Sequence, residues 1–127
     1  MAHKRLQDIP IYKVDPPKER TLHLIFSPQI DPGIKDCTVL MATLVPRTGR
    51  SGLHSHTVDE IMYIVSGKGE ILQEGETIKL EPGTAIYAPA GTEHETRNFG
   101  EKPLEILCTY IPSLSDEQIE EYVRNSK

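Results

Sequence analysis

The chain has 127 residues, with 14 lysines and arginines against 19 aspartates and glutamates, a net charge of −5. That length supports one hydrophobic core but not two, so a single domain is expected. Charges of both signs are mixed along the chain with no basic stripe, and the longest apolar runs, such as 37–45, are too short to span a bilayer, so neither nucleic acid nor membrane is an expected partner.

Residues 1–20 carry Pro10, Pro16 and Pro17, which exclude a central strand. They also carry Leu6, Ile9, Ile11, Tyr12 and Val14, apolar groups that need cover. An N-terminal arm is expected there, lying along a sheet edge or over a neighbouring subunit. Residues 21–112 are rich in β-branched residues punctuated by Pro and Gly, and the pattern predicts short strands at 22–26, 38–45, 60–65, 70–73, 77–80, 84–88, 94–98 and 104–110. Gly75, between Gln73 and Thr77, marks a hairpin, and Gly67-Lys68-Gly69 another sharp turn. Eight short strands in one domain fit an all-β antiparallel sandwich or barrel.

Residues 113–127 are predicted to form a C-terminal helix and tail. Ser115 and Gln118 have capping-box spacing, Leu114 and Ile119 staple spacing, and Asp116 and Glu117 suit the positive end of the helix dipole. Ile119, Tyr122 and Val123 form an apolar stripe, expected to cover the barrel or a partner without taking part in chemistry. Cys37 and Cys108 form no C-x-x-C pair and are expected to be reduced thiols. With no charged-then-apolar leader, the cytoplasm is the expected location.

The residues that carry chemistry are His54, His56, Glu60 and His94. Strand alternation sends residues i, i+2 and i+6 to one face, which brings the first three together. Two imidazoles and a carboxylate suit a divalent transition metal, and His94, after the turn around Pro89 and Gly91, is placed to supply a fourth ligand. A lone His-x-His is more often a solvated pair, so the inference rests on the combination. His3 and His23 stand outside it.

These stretches resemble the paired motifs of the cupin family. His54, His56, Glu60 and Gly67 match the first motif, in which Thr48 takes the place of the leading glycine and Gly49 comes one residue late. Gly83, Pro89, Gly91, His94 and Asn98 match the second in full. The resemblance implies a double-stranded β-helix (jelly-roll barrel) holding one metal on His54, His56, Glu60 and His94. Iron, manganese, nickel, cobalt and zinc all accept that ligand set.

Parity carried along the strands points Met62, Ile64, Thr96 and Asn98 into the pocket, and the resemblance adds Cys108. Four protein ligands on an octahedral ion leave two positions for a carboxylate, enolate or hydroxy-ketone. The leading expectation is therefore an oxygenase or lyase acting on a small oxygenated or carboxylate-bearing metabolite. A non-catalytic, metal-dependent binding module for a small acid or sugar is the first alternative, and a sugar isomerase or epimerase the second. The second asks for a spare acid–base pair or a deep cation, and only Arg47 and Arg50 suggest themselves, near the mouth. A homodimer is expected, with the arm crossing onto the second subunit and protecting sheet edges.

Overall fold

The computed structural model describes residues 3–124, so residues 1–2 of the arm and 125–127 of the tail lie outside the described residues. Nine strands form two antiparallel sheets. The larger sheet contains β1 (Ile11–Val14), β2 (Arg20–Phe26), β3 (Thr38–Leu44), β4 (Asp59–Ser66), β7 (Ala85–Ala88) and β9 (Leu104–Ile111), in the order β1-β2-β3-β9-β4-β7. The smaller contains β5 (Gly69–Gln73), β6 (Glu76–Leu80) and β8 (His94–Arg97), in the order β6-β5-β8. Segment 50–54 runs beside β8 through bridges Arg50↔Arg97 and His54↔His94, extending that sheet where no regular strand forms. This is an antiparallel β-sandwich of the jelly-roll type.

The core lies between the sheets and follows the period-2 pattern. Leu40, Ala42 and Leu44 of β3, Leu104 and Ile106 of β9, and Met62 and Ile64 of β4 are buried, each with less buried neighbours on either side. Ile71 and Leu80 close the core from the smaller sheet. At about 25 cal/mol per Å² of apolar surface removed from water, each such side chain contributes about 1.5–3 kcal/mol. Burial is therefore what sets the strand register.

Each of the eight expected strands is present, and the hairpin at Gly75, with φ +78°, joins β5 to β6. The arm takes the first of its two expected courses, along a sheet edge. Ile11–Val14 pairs with β2 as an edge strand of the chain's own sheet, with Ile11 opposite His23 and Val14 opposite Arg20. Pro10 precedes this strand and Pro16 and Pro17 follow it, so the strand fits between them. Ile9 is buried, while Tyr12 and Val14 pack against the core.

The C-terminal helix α1 (Asp116–Arg124) forms where its cap signals stand: the backbone N–H of Gln118 donates to Ser115 Oγ at 3.2 Å, and Leu114 and Ile119 are both buried. Gly49, displaced from the motif's position, serves a close approach. A Cβ there would lie 2.5 Å from the backbone nitrogen of Val45. Gly67 combines φ +86° with a Cβ direction blocked by the Pro103 carbonyl.

Candidate metal centre

His54, His56, Glu60 and His94 converge in the interior, each with a ligand atom within 4.8 Å of the others. The route differs from simple strand alternation. His54 and His56 precede β4 in an irregular segment, and only Glu60 lies on the strand. What sets His54 is the bridge to His94, with reciprocal N–H···O bonds of 3.0 and 2.8 Å between the two backbones. The backbone N–H of Gly91, at φ +83°, donates to the His56 carbonyl at 2.8 Å and holds the two motifs together.

The ring nitrogens are oriented for a ligand. The Nδ1–H of His54 donates to the Gly52 carbonyl at 2.7 Å and that of His94 to the Thr92 carbonyl at 3.2 Å. A carbonyl accepts only, so Nδ1 carries the proton and Nε2 presents its lone pair to the centre, the usual support for a metal-binding imidazole. His56 stands edge-on to Tyr110, with ring centroids 4.9 Å apart. Its Nε2 and the Oε1 of Glu60 are buried without a hydrogen-bond partner among the described residues. Glu60 Oε1 lies 3.1 Å from His94 Nε2 and 3.5 Å from His56 Nε2, contacts of charge rather than of hydrogen-bond geometry. Unpaired buried nitrogen and carboxylate oxygen are costly. Donors roughly 2.0–2.2 Å from one ion lie at most about 4.4 Å apart, close to the span of this cluster. The residues fit a metal.

Electrostatics agree with that fit. Burial lowers the His54 pKa to about 4, with the neighbouring His94, His56 and Arg20 charges adding to it. Burial also lowers His56, against the pull of Glu60. For His94, burial works against the charge, but the Glu60 carboxylate beside it outweighs this and raises the pKa. Burial opposes ionisation of Glu60, and the His94 and His56 interactions more than offset this. Burial, reinforced by Glu60, pushes Cys108 and Tyr110 well up, and Tyr122 rises to about 12, again chiefly through burial. These three groups keep their protons at neutral pH.

A small cavity adjoins the cluster, leaving about 20 Å³ for the centres of water-sized molecules, room for one or two. Met62, Thr96 and Cys108 line it. Ile64 and Asn98 do not. Both side chains point inward, but farther along the barrel: Ile64 joins the apolar core, and the Asn98 amide is spent on the carbonyls of Leu44, Val45 and Lys102. Parity gives a direction but not a depth. Arg47 and Arg50 also lie away from the cavity: Arg47 pairs with exposed Glu101, and Arg50 donates to the Pro17 carbonyl.

Of the lining residues that escaped the sequence reading, Arg20, Tyr110 and Tyr122 bear most on the chemistry. Arg20 opens β2 and points inward with Leu22 and Leu24. Extending the expected strand back by two residues would have exposed it by parity. Tyr110, opposite Glu60 in the β4–β9 register, follows Cys108 on the inner face of β9. Tyr122 comes from α1, so the helix supplies a wall of the cavity rather than only a cover.

The model of the cupin domain matches residues 40–110, more than half of the chain. The chain belongs to the cupin family. Uncharacterized protein MJ1618 of Methanocaldococcus jannaschii is 36% identical over 97 residues, 76% of each chain. A glucose-6-phosphate isomerase of Thermococcus litoralis is 41% identical over 56 residues, 40% of this cupin but 30% of the isomerase. Among solved structures, a predicted oxalate decarboxylase of Thermotoga maritima superposes with TM-score 0.75 at 24% identity, over 85% of this chain and 96% of its own. That likeness establishes the shared barrel.

Proposed function

We propose that this cupin holds one divalent transition metal on His54, His56, Glu60 and His94 and acts on a small oxygen-bearing metabolite as an oxygenase or lyase. The carrying observation is the buried, converging donor set in which His56 Nε2 and Glu60 Oε1 have no other partner. A bound ion would act as a Lewis acid with positions left for ligand oxygens. The chain's own residues orient and enclose. Gly52 and Thr92 carbonyls fix the imidazoles. Met62, Leu22 and Ile106 form a dry wall, and Tyr110, Tyr122 and Cys108 remain protonated beside Glu60. Among the described residues, no histidine or carboxylate outside the ligand set lines the cavity, so a two-base isomerase is poorly served. The partial match to the isomerase keeps that reading as the second one, and the exposed positions of Arg47 and Arg50 count against it.

The test begins with protein purified without chelator or affinity resin. Elemental analysis should give about one equivalent of transition metal per chain. His56→Ala and His94→Ala should lose most of it while keeping a β-rich circular dichroism spectrum, because apolar burial holds the barrel. Wild-type metal content in both variants would overturn the site. Metal-loaded protein is then incubated with small oxy-acids, following oxygen uptake and ligand mass. Ligand-induced thermal stabilisation with unchanged ligand would replace the enzyme by the binding module.

Two further proposals accompany this one. A reducing cytoplasmic setting is supported by Cys37 and Cys108, both free thiols. A homodimer is supported by an apolar outer face on the large sheet, where Ile61, Tyr63 and Val65 of β4 are exposed beside Tyr87 of β7. Among the described residues, no helix is long and apolar enough to cross a membrane.

A further inference from the structure

Among the described residues, Arg20 is the one cationic side chain lining the cavity. It sits at the start of β2, opposite Leu44 of β3 and Val14 of β1, on the face that also buries Leu22 and Leu24. Its Nε is buried with no hydrogen-bond partner, and its guanidinium forms no ion pair with any described residue. A buried guanidinium nitrogen without an acceptor is costly. Arg47 and Arg97, by contrast, pair with Glu101 and Glu95.

The charge balance of the cavity extends this point. A divalent ion and Arg20 bring three positive charges, and Glu60 returns one negative charge. The histidines are neutral when they ligate. Two positive charges are left for the ligand to neutralise.

We infer that Arg20 is the anion anchor of this site and that the ligand is a small dicarboxylate, one carboxylate at the metal position and the other in the guanidinium fork. The inference rests on the reading of the four-residue cluster as a metal centre. It narrows the ligand from any oxygen-bearing metabolite to a diacid. The guanidinium presents parallel N–H donors that match a planar carboxylate two by two, which a single ammonium does not. A short diacid asks for less widening of this cavity of about 20 Å³ than a phosphosugar does. A ligand of that kind would satisfy the buried Nε and discharge the excess charge together.

The experiment uses full-length protein loaded with zinc(II), titrated calorimetrically with malonate, acetate, malonamide and methyl phosphate. Zinc content is measured after each titration. Malonate should bind about 10- to 100-fold more tightly than acetate, the range expected for charge-assisted hydrogen bonds. Arg20→Met should abolish that preference, leaving acetate affinity and zinc content unchanged. Arg20→Lys should restore part of it, since charge returns without the fork. Equal malonate preference in wild type and Arg20→Met overturns the inference, as does tighter binding of methyl phosphate than malonate. If Arg20→Met does not fold, the wild-type preference and its reduction in Arg20→Lys decide. Failure of zinc to load defeats the metal centre and the bridge together, whereas loading without an Arg20-dependent preference defeats the bridge alone.

Discussion

His94 carries the acid sensitivity of the site. Burial holds His54 neutral down to about 4, helped by its charged neighbours, and burial lowers His56 as well. Burial also opposes charge on His94, but Glu60 outweighs it, so His94 protonates above the usual histidine value near 6.5. In the metal-free protein this pair stabilises the fold below the unfolded histidine pKa, and the contribution is lost as pH rises through the raised value. Metal binding has the opposite sign, because the ion needs a neutral imidazole and competes with the proton. Between pH 8 and 5, zinc affinity should therefore fall with a slope short of three protons, because His54 stays neutral there. Competition titrations against a chromophoric chelator measure it. A flat profile would remove His94 from the ligand set, and a slope of three would mean that His54 and His56 titrate with it.

At the level of elements, β8 and the loop after it divide two tasks along one inward-facing row. His94 and Thr96 reach the cavity, while Asn98, two residues on and fully buried, ties the end of β3 to the β8–β9 loop. Its amide N–H groups are shared among the carbonyls of Leu44, Val45 and Lys102, and its Oδ1 accepts from the Gly100 backbone at 2.9 Å. Asn98→Ala strands those groups in the interior and should cost about 2–4 kcal/mol. The loss would be read as a lower urea midpoint with metal content unchanged. Metal loss at unchanged stability would instead return Asn98 to the site. Helix α1 likewise has two tasks: Ile119 packs against the core, and Tyr122 walls the cavity.

For the whole molecule, the open question of surface chemistry is the outer face of the large sheet. Ile61, Tyr63, Val65, Tyr87 and Ile111 are each more than two-fifths exposed, with Ile61 directly opposite Tyr87 in the β4–β7 register. A second copy meeting this face about a two-fold axis would cover it. Light scattering at micromolar concentration should give a mass near two chains, and Ile61→Lys with Tyr63→Lys should reduce it to one. A single-chain mass for the wild type would sink the dimer. Because β1 pairs with β2 of its own chain, removing residues 1–14 should leave the dimer in place. If that truncation yields monomers, the arm is the tie after all.

Local patterns were enough to determine much of this protein. Period-2 burial, turn glycines and cap residues are written in neighbouring positions, so the eight expected strands and the helix begun by Ser115 could be read directly. The four donors were legible for the same reason: spaced histidines and a glutamate around fixed turns are a one-dimensional signal. Tertiary structure decided how deep each inward residue lies, and so took Thr96 to the cavity but Asn98 and Ile64 elsewhere. It also decided which charges find partners, sending Arg47 to Glu101 and leaving Arg20 facing the cavity. Depth and pairing depend on contacts between residues far apart in the chain, such as Arg20 near Tyr122, and no local spacing encodes them.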